Sequence, residues 1–407
     1  LDEELGLLPG QLTPRLQEGL VRLSTHIPSF GKAAVEFAYW TQVDIHRSSA
    51  CRITEAAGAT AVALQTQEAE DILKHHPLPV PAPDQLVFSV DGAMVPLVHG
   101  QWAEARTLVI GEPVVEPPAE EPEIVRTTAR SYFSRLTNST SFGELATVEI
   151  HRRGVERAHR VGAVVDGAEW CQTFIDLHAP QARRIRDFPH AAEYVEAIGQ
   201  TPGPQGPLLV AAERARLCHD LKHSGPTTVV ACVQTTIIAA GYPGETATQL
   251  AYLEKRCDQM AYPQFRAEQW PIGSGIVESA NKLVVEERLK GAGMHWAEAN
   301  VNPLLALRNA ICNDRWGEVW MQIEAEQRRA ERAQRWERQR QRRLRTHQDG
   351  AAVAVVAVTA PGKPDGGGRA AARPPQRPAA EKGRPAADHP WNKAWSIRRQ
   401  RELASSA

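Results

Sequence analysis

Residues Trp270–Trp296 read WPIGSGIVESANKLVVEERLKGAGMHW, and the placing of this stretch decides the fold. It opens on Pro271, Gly273, Ser274 and Gly275. The two glycines let the backbone turn tightly, and Ser274 is expected to N-cap a helix. That helix carries Glu278 in its first turn and sets Glu278, Asn281, Lys282 and Val285 along one side. The pattern breaks at Gly291-Ala292-Gly293. By itself the stretch reads equally well as a capped surface helix with a Glu278–Lys282 pair and as a segment that delivers an acid to a site. Two aspartates far upstream, Asp91 and Asp166, favour the second reading, because both stand where strands are expected to end.

Composition sets the outer bounds. The chain has 407 residues, 42% hydrophobic and 23% charged, with a net charge of −1. Those values fit a folded protein of two or three domains. Near-neutral charge excludes a uniformly basic protein, so a nucleic-acid surface would have to be local. The longest apolar run in the tail, Ala351–Ala360, is too short to span a bilayer, and no membrane partner is expected. Six cysteines at 51, 171, 218, 232, 257 and 312 form no CxxC pair, which suits a reducing cytoplasm rather than a disulfide framework. The first residue is Leu1 rather than Met, read as the mark of a fragment or a processed chain.

In chain order, residues 1–65 read as helical. Residues 12–26 are amphipathic, with Pro14 suited to a first turn. The run from Phe30 to Gly58 has the shape of a helix-turn-helix, its second helix spanning Ser48–Ala57 with Arg52 and Thr54 turned outward. His46, Arg47, Ser48, Ser49 and Arg52 would then face a groove; an ordinary helical hairpin is the alternative. Residues 66–84 (ending HHPLPVPAPD) form a helix end and a linker. Leu86–Val90 reads as a buried strand stopping at Asp91-Gly92, Met94–Val98 continues it, and Trp102–Ile110 alternates as another. Residues 112–123 are acidic and Pro-rich, as in an exposed loop, and Ser131–Arg157 has helical spacing. Val161–Val165 is a strand ending at Asp166-Gly167, with a helix over 168–177. Ala182–Arg186 is a strand ending at Asp187, with a helix from Ala191.

The predicted order gives an α/β core with a mixed sheet over 85–200. Residues 201–269 read as an all-helical insertion, and 270–320 complete the core. Within the insertion, His219 and His223 stand at i,i+4 beside Cys218, but no further metal ligands accompany them. Residues 321–349 carry an Arg-rich helix or arm, with nine arginines between Met321 and Arg345. It reads either as a solvated helix or as a phosphate-contacting one. The Ala/Pro/Gly/Arg-rich tail, 350–407, is expected to be disordered.

Asp91, Asp166 and Glu278 are candidates for one site. Three clustered carboxylates repel one another, so such a set makes sense around divalent cations, which Mg²⁺ binds through a few carboxylates, waters and substrate phosphates. Two ions about 4 Å apart support phosphoryl transfer without a serine or cysteine nucleophile. Asp-Gly is also a common turn pair, so spacing alone leaves a turn open at both aspartates.

Taken together, FSVDG, VVDGAEW, DFPHA and PIGSGIVESANKLVVEERLKGAGMHW resemble a bacterial insertion-sequence transposase of the DDE type, in the Mutator-like superfamily. The resemblance covers roughly three quarters of the chain, to about Trp316. It implies an RNase H-like core with Asp91, Asp166 and Glu278 as catalytic and metal-binding acids, and two Mg²⁺ (or Mn²⁺) ions. The superfamily's Cys-or-Asp, two residues, His motif falls on Asp187 and His190, whose role stays open between metal shell, strand positioning and structure. The implied partner is double-stranded DNA, as terminal inverted repeats and target, held by a homo-oligomer in the bacterial cytoplasm near the nucleoid. Lys282, Arg288, Lys290, Arg47, Arg52 and the 328–345 arginines are the expected phosphate contacts. His295 and Trp296 are candidates for an end base or for packing. The alternatives are a non-catalytic DNA-binding protein derived from a transposase, and an RNase H-like nuclease.

Overall fold

The computed structural model describes residues 12–115, 125–203, 206–242 and 244–358. Most of the expected acidic loop (116–124) and the tail from 359 lie outside the described residues. The chain divides into two units, Leu1–Arg338 and Gln339–Ala407; everything below concerns the first unless stated.

A five-stranded mixed sheet forms its centre, in the order β3-β2-β1-β4-β5. β1 (Gln85–Pro96), β2 (Trp102–Val115) and β3 (Val125–Leu136) form an antiparallel meander. β4 (Arg160–Val165) adds to β1 in parallel, and β5 (Arg183–Arg186) adds to β4 in parallel. Alternation along β1 explains why both faces need cover. Leu86, Phe88 and Val90 pack under α4 (Ser139–Arg152) and α5 (Glu169–His178). On the other face, Val87 joins Val164 and Ile185 under α6 (Phe188–Gln200) and the helical insertion. Ala93 and Val95, farther along β1, lie under the helix that carries Glu278.

Several expectations change here. β1 does not stop at Asp91-Gly92 but runs on to Pro96, with Asp91 opposite Thr107 in β2. Ser131–Leu136 is strand, not helix, because Tyr132 and Phe133 fill the sheet's two faces. α6 begins at Phe188 rather than Ala191, since the Asp187 carboxylate already caps its first turn.

The insertion, expected to be all helical, is helical after one short β ladder. A two-residue ladder of β6 (Pro202–Gly203) and β7 (Gly206–Pro207) leads into α7 (Ala211–His223), α8 (Pro226–Ala239), α9 (Thr246–Lys255) and α10 (Tyr262–Ala267). The Trp270–Trp296 stretch then returns to the sheet as α11 (Gly275–Ala280), a π-helical segment (Asn281–Glu286) and α12 (Glu287–Leu289).

Edge strand β3 is closed by α13 (Glu298–Cys312) and the residue that follows it. The side-chain amides of Asn302, Asn309 and Asn313 each accept from and donate to one backbone position of β3, at Leu136, Ser134 and Tyr132. The otherwise unpaired N–H and C=O groups of alternate residues are thereby satisfied.

The N-terminal helices α1 (Pro14–His26), α2 (Phe30–Thr41) and α3 (Arg47–His75) pack against α13 and the start of α14 (Trp316–Val358). α3 is far longer than the expected 48–57 helix, so the linker begins only after His75. Thr54, expected to face outward, is fully buried, because that side of α3 packs among α1 and α13. Arg47 and Arg52 remain exposed. α14 continues to Val358, so the first residues of the tail expected to lack structure are helical.

The α3–α13 crossing depends on Gly58. A Cβ there would come within 2.3 Å of the Pro303 carbonyl oxygen. Gly58→Ala is therefore expected to destabilise the fold by about 1–3 kcal/mol through overpacking, as a lower urea midpoint at unchanged m-value.

Candidate active site

The parallel strands place three aspartates in line. The β1–β4 register ends at Phe88 opposite Ala163; carried on for three residues it would set Asp91 beside Asp166, just past the end of β4, and the Asp166 charge is felt at Asp91. Ser89 Oγ takes up the Val164 carbonyl in that interval. The β4–β5 register ends at Val165 opposite Arg186, which brings Asp166 level with Asp187. All three follow the alternation of Val87, Val164 and Ile185, so they belong to the insertion face. β4 and β5 end here, and carboxyl ends of parallel strands are where open α/β sheets bind ligands.

Asp91 is half-buried. Burial pushes its carboxyl above the ordinary aspartate range, and the nearby Asp166 and Glu104 charges push the same way, while Gly92 N–H and His190 oppose them. Glu104, on β2, was not foreseen from the sequence. It is held by Arg106 at 2.6 Å, and it lies over Gly92, where a Cβ would be 2.1 Å from Glu104 Oε1. The Asp91-Gly92 pair is therefore no turn; the glycine makes room for Glu104 on the sheet face opposite to the one Asp91 faces.

Asp166 accepts from Ala168 N at 2.9 Å and from Cys171 Sγ at 3.4 Å. Burial and this carboxylate raise the Cys171 thiol pKa, so it remains protonated. Gly167 has φ +82°, and its Cα hydrogen side is filled by Arg186, Tyr252 and Arg256, so this Asp-Gly does require glycine. Tyr252 Oη donates to the Asp166 carbonyl at 3.0 Å and Arg256 Nη2 to the Gly167 carbonyl at 2.5 Å. The insertion thus fixes the backbone of the acid loop.

Asp187 is a buried junction. Its Oδ2 accepts from His190 N at 3.0 Å and pairs with His190 Nδ1 at 2.6 Å, and its Oδ1 accepts from Ser274 N at 2.5 Å. Ser274 therefore does not cap α11 with its side chain, as expected, but tethers the loop before Glu278 to the end of β5. His190 stays partly exposed, its pKa raised chiefly by the Asp187 hydrogen bond.

The helix of Glu278 is docked on Asp91 by Asn281, whose Nδ2 donates to Asp91 Oδ2 at 3.0 Å. The π-helical segment begins at this same residue, a distortion that recurs at functional sites. Spacing had put Asn281 beside Glu278 but could not name its partner. Glu278 itself is exposed one turn earlier. Among the described residues no three His, Cys, Asp or Glu side chains are grouped so as to hold a metal ion. The expected three-acid cluster is thus not formed; Asp91 and Asp166 come together, and Glu278 stands on the adjoining turn. Two carboxylates that repel each other at a strand edge do fit a Mg²⁺ that takes its remaining oxygens from water and substrate phosphate.

The expected phosphate contacts divide. Lys282 and Lys290 are exposed, Lys290 pairing with Glu286 at 2.9 Å. Arg288 is fully buried instead: Nε donates to the Ser24 carbonyl and Nη1 to that of Pro28, both at 3.0 Å, beneath the rings of Phe30 and Trp296. It joins α12 to the N-terminal helices because a long cation with several donors reaches both the last turn of α1 and the loop after it. Trp296 packs there too, its Nε1 bonded to Leu289 O at 2.9 Å; His295 is exposed. Arg288→Ala is expected to cost about 2–4 kcal/mol of stability, read by urea titration.

No family model matches the chain, and no curated protein is similar enough to count as a relative.

Proposed function

We propose that the chain is a DDE-type transposase of a bacterial insertion sequence, built on an RNase H-like core, that cuts DNA at element ends and joins it to target DNA. One observation carries the reading: Asp91 on β1 feels the charge of Asp166, at the end of the adjoining parallel strand, and the Glu278 helix is bonded to Asp91 through Asn281. A three-strand antiparallel meander extended by two parallel strands is the arrangement an RNase H-like core calls for. The helical insertion just before Glu278 supports the same family.

A divalent cation at Asp91 and Asp166, when bound, would neutralise both carboxylates and stabilise charge on a phosphodiester. The chain's own residues do the rest. Asn281 fixes the Asp91 carboxylate, Cys171 and Ala168 N fix that of Asp166, and Asp187 holds His190 at the rim and the Glu278 loop in place. Glu278, exposed one turn before Asn281, is assigned the role of third acid on the family pattern alone. The helix pair α2–α3, with Arg47 and Arg52 exposed, is assigned to end recognition.

The test uses a supercoiled plasmid carrying the DNA that flanks the coding region, with Mg²⁺ or Mn²⁺. Cleavage at the element end followed by joining supports the reading; cleavage without joining assigns a nuclease. Retention of DNA without any metal-dependent cleavage assigns a binding protein, the reading that the exposure of Glu278 favours.

A further inference from the structure

An open groove of about 520 Å³ lies between β3, α7, α10 and the start of α11. Arg126 and Arg130 reach it from β3, Lys222 from α7 and Arg266 from α10. No Asp or Glu lines it among the described residues. In a chain of net charge −1, four cations around one cavity concentrate positive potential that the composition conceals. Two of them lie against rings: Lys222 Nζ is 5.5 Å from the Phe188 centroid, and Arg266 Nη1 is 3.4 Å from His223 Nδ1.

Two further features belong to the groove. The β2–β3 register shifts between Ile110 and Glu112, leaving Ala129 and Arg130 opposite Gly111, with Ala129 at φ +43°. A bulge of this kind re-aims a side chain and is frequent beside active sites; here the re-aimed residue is Arg130. The floor is the loop of Glu278: Gly273, Gly275 and Ser279 line the groove, and Ser274 N between them is bonded to Asp187. The cation-lined groove and the tether to Asp187 therefore share one short segment.

We propose that this groove holds the sugar-phosphate backbone of a DNA strand and leads it over the start of α11 to Asp91 and Asp166. Cations drawn from three separate elements around an open trough suit successive phosphates better than one convergent anion, and arginine forks bind phosphate oxygens in pairs. The assignment rests on the DNA-processing reading above, but it names residues apart from Lys282, Lys290 and the α14 arginines.

The experiment measures anisotropy of a short labelled duplex with the full chain, in EDTA, from about 50 to 200 mM salt. Arg130→Glu/Arg266→Glu is expected to bind about tenfold more weakly or worse, with a salt slope smaller by about 2, since each lost phosphate contact removes about 0.9. Arg216→Glu, exposed on α7 outside the groove, should match the wild type. Should charge reversal unfold the chain, Arg130→Gln/Arg266→Gln gives the same readout. Wild-type affinity and slope in the folded double variant overturn the proposal. So does groove-dependent binding of inorganic phosphate alone, without the duplex. Loss of duplex binding in the groove variant, with cleavage unaffected by Asp91→Asn, keeps the groove and removes the proposed chemistry; the converse removes the groove alone.

Discussion

Asp91→Asn and Asp166→Asn, each alone, are expected to lower metal-dependent strand cleavage by about 10³-fold or more, roughly 4 kcal/mol of barrier, with duplex binding nearly unchanged. The amide keeps the shape of the carboxylate and removes its charge, so a cation loses one of two anchors. Stability should move the other way. Burial, Asp166 and Glu104 raise the Asp91 pKa above its ordinary value, so the folded state holds the proton more tightly than the unfolded chain. Ionised Asp91 then weakens the fold, and the penalty grows as pH rises through the folded pKa. Asp91→Asn is expected to melt higher than the wild type at neutral pH, the difference vanishing below about pH 4, the unfolded aspartate range. A residue that costs stability yet abolishes turnover when neutralised belongs to a site rather than to the frame. Glu278→Gln sets the extent of that site. A loss equal to that of the aspartates makes it the third acid, and full activity restricts the chemistry to Asp91 and Asp166. Unchanged cleavage in all three variants would sink the assignment.

What the sequence showed of this fold follows physical range. The apolar runs at Leu86–Val90 and Val161–Val165, and the Gly-rich entry to α11, are local signals, and they lie where the alternation and spacing put them. The run of β3 was misread because its inward residues Tyr132, Phe133 and Leu136 lie among polar ones. Its backbone is completed by Asn302, Asn309 and Asn313, more than 160 residues away, which no local period can show. Asp91 was legible as an acid on a strand, but the meaning of Gly92 was not: it is space for Glu104, set by cross-strand register. Arg288 failed for a related reason. A cation on a helix beside lysines reads as solvent-facing until the carbonyls of Ser24 and Pro28 arrive from the other end of the chain. The basic groove was invisible because Arg126, Arg130, Lys222 and Arg266 are scattered over 140 positions and diluted in a neutral composition.

Asp187→Ala is expected to destabilise the chain by about 3–5 kcal/mol near pH 6, the cost of removing one partner from a buried charge-paired network. Three donors lose their acceptor at once, two on His190 and one on Ser274. The milder Asp187→Asn isolates the charge, and its difference from the wild type has a definite pH shape. Burial pushes the Asp187 carboxyl upward, but the hydrogen bonds from His190 and Ser274 outweigh it and hold the pKa below the ordinary value. That contribution is present above the unfolded aspartate pKa and is lost as pH falls through the folded one. The His190 pKa is raised, so its contribution is full below the unfolded histidine pKa and is lost as pH rises through the folded one. The two overlap between about pH 4 and about pH 6.5. Urea midpoints of Asp187→Asn should therefore fall furthest below the wild type in that window and approach it on both sides; a difference that is flat from pH 3 to 9 would remove the ion pair from the account. Because Ser274 hangs from the same carboxylate, Asp187→Asn should also lower cleavage within the window where it still folds, and more than Gly58→Ala at equal loss of stability. That comparison separates positioning of the Glu278 loop from general loosening of the fold.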